Sequence, residues 1–395
     1  MRLGIDASNL RDGGGITHLR ELLGAARPHE HGITRVTVWA GAATLRELPA
    51  QPWLELVHEP LLDRALPARI WWQQVELPQQ ARRACDLLFA PGGTCSSAFH
   101  PVVTMSRNLL PFELRELRRY GASALAAKFL LLRAKQSASY RRADGVIFLS
   151  EYAQTVVTRA AGIGAAQAII PHGVNRRFYL APRTQRPLAT YSPDEPFKLL
   201  YVSKVEPYKH HDRVVEAVAQ LRRAGLPLAL ELVGPPTHQL TAERLRKTIA
   251  RIDPAGAFIR HHAAVAHSDL HQHYHQADGF VFASSCENLP NILLEAMAAG
   301  LPIACARRGP MPEVLRDAGV YFDPEKPGEL AAAITTLLAD HILREQHTWQ
   351  AYSYAQTYSW EQCAHETFSY LVEAARRANN CAPSLHNLAE PISHH

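Results

Sequence analysis

Two glutamates, Glu287 and Glu295, stand with seven residues between them inside the stretch 279–313, GFVFASSCENLPNILLEAMAAGLPIACARRGPMPE. Phe280, Val281 and Phe282 read as a buried strand that ends in Ser284 and Ser285. A Glu287-Asn288-Leu289-Pro290 turn follows, then a predicted helix over 291–299, with Gly300 placed to end it and Pro302 to block its continuation. The turn therefore lies at the carboxyl end of a strand and the amino end of a helix. In open α/β sheets ligands bind there, and free backbone N–H groups favour a phosphate. Glu287 in the turn can accept hydrogen bonds from sugar hydroxyls, and Glu295 can reach a ribose from the helix. As structure alone, Glu287 would cap the helix and Glu295 would decorate its surface. Yet Glu295 sits in LLEAMAAG, among residues expected to pack, and a carboxylate there needs a partner.

A second group of candidates is basic. In VSKVEPYKH, Lys204 ends one predicted strand and Lys209 opens the next helix, so two cations can face the charge of a leaving diphosphate. The bland alternative is a pair of solvated lysines. Gly13-Gly14-Gly15 follows the first strand and precedes a helical segment over 17–23; without GxGxxG spacing it is a weak signal alone. His18 beside it reads as a locally packed residue. His267, His271 and His275 share four-residue spacing, with His261, His262 and His273 nearby. They read as a polar helix face, because no cysteine accompanies them. No Asp-x-Asp stands near a strand end, so neither a catalytic metal nor a resident cofactor is implied.

These residues need elements to position them. Apolar runs at 2–5, 36–39, 87–89, 102–105 and 146–149, then at 198–202, 229–233, 258–260, 279–283 and 302–304, alternate with amphipathic segments. Such alternation predicts a doubly wound α/β architecture with parallel strands. It breaks at 181–196, APRTQRPLATYSPDEP, whose four prolines mark a linker. The expected organisation is a first Rossmann-like domain over 1–180, the linker over 181–196, a second such domain over 197–358, a helix over 359–378 and a mobile tail over 379–395. The 395 residues, 47% apolar and 20% charged, suit two globular domains. No apolar run approaches the ~20 residues that span a bilayer. The start reads as a strand and not as a signal peptide, so the expected compartment is the cytoplasm. Six cysteines without CxxC spacing read as reduced thiols. A net charge of +5 over this length is too dilute to favour nucleic acid.

Taken together, these segments resemble the retaining family-four glycosyltransferases of the GT-B fold. Glu287-x7-Glu295 with EAMAAGLPI carries the resemblance, supported in order by RLGIDASNLRDGGG (2–15), SEYAQ (150–154), IIPHGVN (169–175), YVSKVEPYKHHDRVVEA (201–217), ELVGPP (231–236), VYFDP (320–324) and YSW (358–360). It implies two Rossmann-like domains facing a cleft, with the C-terminal helix returning to the first. The implied reaction is metal-independent transfer of a hexose from a nucleoside-diphosphate sugar to a hydroxyl acceptor, with retention. Glu287, Lys204 and Lys209 would then serve catalysis, with Glu287 on the donor sugar and the lysines on the diphosphate. Asn288 and Leu289 would add backbone contacts, Glu295 would hold the ribose, Val265 would lie near the base, and Gly14 and Gly15 would approach the phosphates across the cleft.

One departure concerns the acceptor side. Many relatives place a histidine after the fourth strand of the first domain, where this chain reads TMSRNLLPFE (104–113), leaving Arg107 and Asn108 as candidates. The first domain would receive a glycan or lipid-linked acceptor in cell-surface polysaccharide assembly. Its segment 113–142 interleaves basic residues with Leu and Phe, which suits docking on anionic lipid at the inner face of the plasma membrane. A solvated helix pair is the alternative. Rival readings keep the fold and make the chain a sugar-nucleotide epimerase or a phosphorylase, or drop catalysis for nucleotide-sugar binding alone.

Overall fold

The computed structural model describes residues 1–381 apart from Asp12 and Pro327. It holds two all-parallel sheets. The first contains β1 (Arg2–Asp6), β2 (Arg35–Ala40), β3 (Leu54–His58), β4 (Leu87–Ala90), β5 (Val102–Met105), β6 (Gly145–Phe148) and β7 (Ala166–Ile169), in the order β3-β2-β1-β4-β5-β6-β7. The second contains β8 (Phe197–Val202), β9 (Leu228–Val233), β10 (Ile259–His262), β11 (Gly279–Phe282), β12 (Ile303–Ala306) and β13 (Val320–Phe322), in the order β10-β9-β8-β11-β12-β13. Each sheet starts in its middle, runs to one edge, then returns to build the other half. The switch points fall between β1 and β4 and between β8 and β11, and ligands bind at the carboxyl ends of such strands.

Three strands escaped the sequence reading, and all three are sheet edges: β3, β7 and β13. Apart from the buried Phe322, their residues are only partly covered, unlike the wholly buried β4, β5, β6, β11 and β12. An edge strand covered on fewer sides need not be a continuous apolar run.

The helix Asn291–Ala298 ends where expected. Gly300 has φ 63°, and Leu301 N–H bonds back to Ala296 O at 3.2 Å, closing the helix in the left-handed turn that glycine favours. Residues 181–196 form a strap fixed to the second domain. Arg344, 1% exposed, donates to Gln185 Oε1 (2.9 Å) and to Arg186 O, which holds the strap on the helix His341–Ala355.

The C-terminal helix, Trp360–Cys381, returns to the first domain, where Tyr370 Oη donates to Ala166 O at 2.7 Å. It continues through 379–381, which were expected in the mobile tail, while 382–395 lie outside the described residues. The chain thus passes between the domains twice, and the passages touch. Val174 N–H bonds to Tyr358 O (2.9 Å), and a Cβ on Gly173 would lie 2.2 Å from Trp360 N. Only glycine fits there. Cys85, Cys95, Cys286, Cys305 and Cys363 are free and buried.

Candidate active site

The carboxyl ends of both sheets face a shared cavity of about 1310 Å³. On the first-domain side β1 leads to Gly13, and Gly14 and Gly15 form the first turn of the helix Gly14–Ala25, a correction to the free loop expected before residue 17. The helix therefore brings unbonded N–H groups and the positive end of its dipole to the cavity. Behind it, Arg107 Nη2 donates to Gly14 O at 2.6 Å. Burial lowers the Arg107 pKa to about 10, so its charge persists at neutral pH.

Opposite, Lys204 stands two residues past β8, its Nζ 3.9 Å from where a Cβ on Gly13 would lie. The glycine turn and the lysine thus meet across the cleft. Val265 and Glu295 line the same cavity. Glu295 has the polar partner its packed surroundings demanded: Tyr274 Oη donates to Oε2 at 2.7 Å. Burial, only partly offset by that bond, pushes its carboxyl up to about 7.

The remaining candidates lie outside the cavity lining. Lys209 does not open a helix; it closes the short turn Pro207–Lys209, with His210 between it and the helix His211–Arg223. Its Nζ forms an ion pair with Glu287, the two side chains 7% and 16% exposed. Asn288 Nδ2 donates to Ser106 O, and Ser150 Oγ donates to Asn288 O, both at 2.7 Å, so the first domain grips the 287–290 turn. Leu289 is buried in the core. Gly15 packs on Arg107, and Asn108 Oδ1 accepts from Leu110 N–H (3.2 Å), capping its own turn.

Sequence reasoning missed a buried aromatic stack. His18 and His172 lie ring to ring at 4.5 Å, and both approach Trp360, at 5.9 and 5.5 Å, on the cavity wall. Neither His18 nitrogen nor His172 Nε2 has a partner among the described residues. Burial, with Arg107 nearby, lowers the His172 pKa to about 3 and that of His18 well below its usual value, so both rings are neutral. The signal was present in PHGV and YSW, but no spacing ties residue 18 to residues 172 and 360.

The basic segment 113–142 divides. Arg115 and Arg119 bind Glu325 of the second domain, and Arg141 donates to Ala161 O (2.9 Å). Arg118, Lys128 and Lys135 stay exposed beside exposed Leu130 and Leu131. No helix among the described residues is long and apolar enough to cross a membrane.

Residues 187–355 match the family described as glycosyl transferases group 1. O-antigen chain mannosyltransferase B of Escherichia coli is 35% identical over 112 residues, 28% of this chain and 29% of that protein. The GDP-mannose-dependent alpha-(1-6)-phosphatidylinositol monomannoside mannosyltransferase of Mycolicibacterium smegmatis is 29% identical over 211 residues, 50% of this chain and 54% of that protein. The chain thus spans about a third and about a half of these relatives' lengths. Among solved structures, sucrose-phosphate synthase from Thermosynechococcus elongatus superposes with a TM-score of 0.74 at 19% identity, covering 96% of this chain and 100% of that one, which shows a shared fold. The second domain thus matches the group 1 glycosyltransferases, and nearly the whole chain shares the two-domain GT-B fold.

Proposed function

We propose that the protein transfers a hexose, with retention, from a nucleoside-diphosphate sugar to a hydroxyl of a glycan or lipid-linked acceptor in cell-surface polysaccharide assembly. One observation carries the proposal: a helix amino terminus, Lys204 and Glu295 converge on one cavity between the two sheets. In this reading the diphosphate lies between the Gly13–Gly14 turn and Lys204, with the Arg107 charge behind the turn. The ionised Glu295 accepts hydrogen bonds from the ribose, and the base rests near Val265. As the bond from the anomeric carbon to the phosphate oxygen breaks, the developing charge falls on these cations and N–H groups, which are in place before the reaction. The acceptor oxygen bonds to the anomeric carbon on the face the diphosphate leaves. Its proton passes to a phosphate oxygen, and the nucleoside diphosphate departs.

The Lys209–Glu287 pair serves the sugar end. Donor binding separates the pair, freeing the carboxylate for sugar hydroxyls and the ammonium for the diphosphate. The mannosyltransferase names among the relatives support GDP-mannose as the first donor to try. Arg118, Lys128 and Lys135, with Leu130 and Leu131, support docking of the first domain on anionic lipid. Binding to anionic vesicles at low salt, lost at high salt, checks that element.

Calorimetry with GDP, UDP, ADP and dTDP, followed by turnover of the matching sugars with and without acceptor, tests the whole. Binding of one nucleotide and acceptor-dependent sugar transfer are expected. If none of the four binds, the proposal is wrong; turnover without acceptor would make the chain an epimerase or hydrolase.

A further inference from the structure

We infer that Glu231, His262 and His273 form a site for a divalent transition-metal ion of the zinc class, and that the ion clamps the loop 263–269 against the second sheet. The site stands apart from the lysines and carboxylates of the transfer reading, and its test needs no turnover.

The three residues come from three elements. Glu231 is on β9, and His262 is the last residue of the neighbouring β10, where it pairs with Val233. His273 is on the helix Leu270–Gln276. Glu231 Oε1 lies 3.0 Å from His262 Nε2 and 2.8 Å from His273 Nδ1, and the two imidazole centroids are 5.2 Å apart. One ligand atom from each residue falls within 4.8 Å of the other two. Bonds of about 2.0–2.2 Å place neighbouring tetrahedral ligands roughly 3.4 Å apart, so a small spreading of this group admits an ion.

The donor chemistry narrows the ion. Two imidazoles and one carboxylate suit Zn²⁺, Co²⁺, Ni²⁺ or Cu²⁺, whereas Ca²⁺ and Mg²⁺ prefer all-oxygen shells. All three side chains are partly exposed, at 25%, 40% and 19%, which leaves room for water in a fourth position. In the metal-free form both imidazoles face one carboxylate oxygen, each as an N–H donor. On binding, each ring turns a lone pair to the ion and carries its proton on the other nitrogen.

The sequence reading took His267, His271 and His275, at four-residue spacing, as a polar helix face and not as a metal site. His271 and His275 do meet, ring to ring at 5.5 Å, but His267 lies against Arg177. A metal-like grouping instead draws one histidine from a strand, one from a helix and a glutamate from the next strand. No local spacing announces it.

Position gives the site its consequence. His262 immediately precedes the loop and His273 follows it. Between them Ala263, Ala264, Val265, Ala266 and His267 line the cavity. An ion held by both ends and by β9 shortens the free span of that wall and reduces its motion.

Titration of the metal-free full chain with Zn²⁺, and with Co²⁺ for its visible absorption, tests the site. One tight equivalent is expected. His262→Ala and His273→Ala should each weaken it by about 100-fold or more, beyond the ~10–100-fold typical of outer-shell changes. Glu231→Gln, which keeps the side-chain shape, should weaken it as well. His58→Ala, which breaks a single-histidine pair with Asp63 in the other domain, should leave it unchanged. Zn²⁺ should slow hydrogen exchange of the 263–269 amides in the parent chain and not in His273→Ala. The site is refuted if the parent binds no tight equivalent, or if binding survives intact when Glu231→Gln and either histidine variant, each shown folded by circular dichroism, are titrated. Unchanged exchange in the loop on zinc binding overturns the clamp.

Discussion

The two walls of the cavity solve the same problem in opposite ways. The second domain offers ionisable groups that already have protein partners: Glu295 with Tyr274, and Glu287 with Lys209 just beyond the lining. The first domain offers a helix amino terminus and two neutral imidazoles, three of whose buried nitrogens (both of His18 and Nε2 of His172) have no partner among the described residues. A paired charge is held in position before a ligand arrives. An unpaired buried nitrogen is a cost to the free protein that a ligand can relieve.

The walls also answer pH in opposite senses. The folded pKa of Glu295 is raised, so its contribution to stability is fully present below the unfolded value of 4.5 and is lost as pH rises through about 7. Burial lowers the folded values of His18 and His172, so the unfolded chain takes up protons more readily. Their contribution is present above 6.5 and is lost as pH falls toward the His172 value of about 3.

The sharpest way to break this contrast is Lys204→Ala. It should lower kcat with the active sugar nucleotide by about 10²–10³-fold, as loss of one preorganised group facing developing charge does. An unchanged kcat would remove Lys204 from the chemistry. Glu287→Ala should cut transfer by about 10²-fold while calorimetry still finds nucleotide binding, since this acid is assigned to the sugar and not to the nucleotide. Loss of nucleotide binding in a folded variant would void that division of labour.

Glu295→Gln tests the pH argument. In the parent, affinity for the nucleoside diphosphate should weaken as pH falls below about 7 and ribose loses its anionic acceptor. The variant should bind more weakly at pH 8 and lose that dependence. It should also be more stable than the parent at pH 8 by about 3 kcal/mol, with the gap closing toward pH 4.5. A parent flat across this range would contradict the ionised-carboxylate role. The smallest effect falls on the facing wall: His18→Leu should raise stability by about 1 kcal/mol, by removing unpaired buried nitrogens, while slowing transfer. Equal activity with lower stability, read by denaturant unfolding and a turnover assay, would make the imidazole mere packing.

Legibility in the sequence followed locality. Interior strands such as GFVF at β11 announce themselves because both faces are covered, whereas edge strands such as AQAI at β7 look like turns or helix. The turn after β11 and its helix could be placed because strand end, turn and glycine stop lie within some twenty residues. Glu295 could be seen to need a partner, but not that Tyr274 supplies it. Lys209 looked like the twin of Lys204 until folding turned it toward Glu287, 78 residues away. Arg107 was considered for the acceptor, yet it backs the glycine turn. Residues that act through partners distant in sequence leave no spacing to read.

The close passage at Gly173 has a mechanical meaning. The chain enters the second domain and leaves it at one spot, like a book bound along a single spine. Elsewhere the covers are held by the neutral bonds on the 287–290 turn and by clasps of charge: Arg115 and Arg119 on Glu325, and Glu313 on the amides of Glu151 and Tyr152. Salt screens the partly exposed ion pairs and leaves the spine, a matter of shape, untouched. Ionic strength therefore acts on how freely the book opens, and not on where it folds.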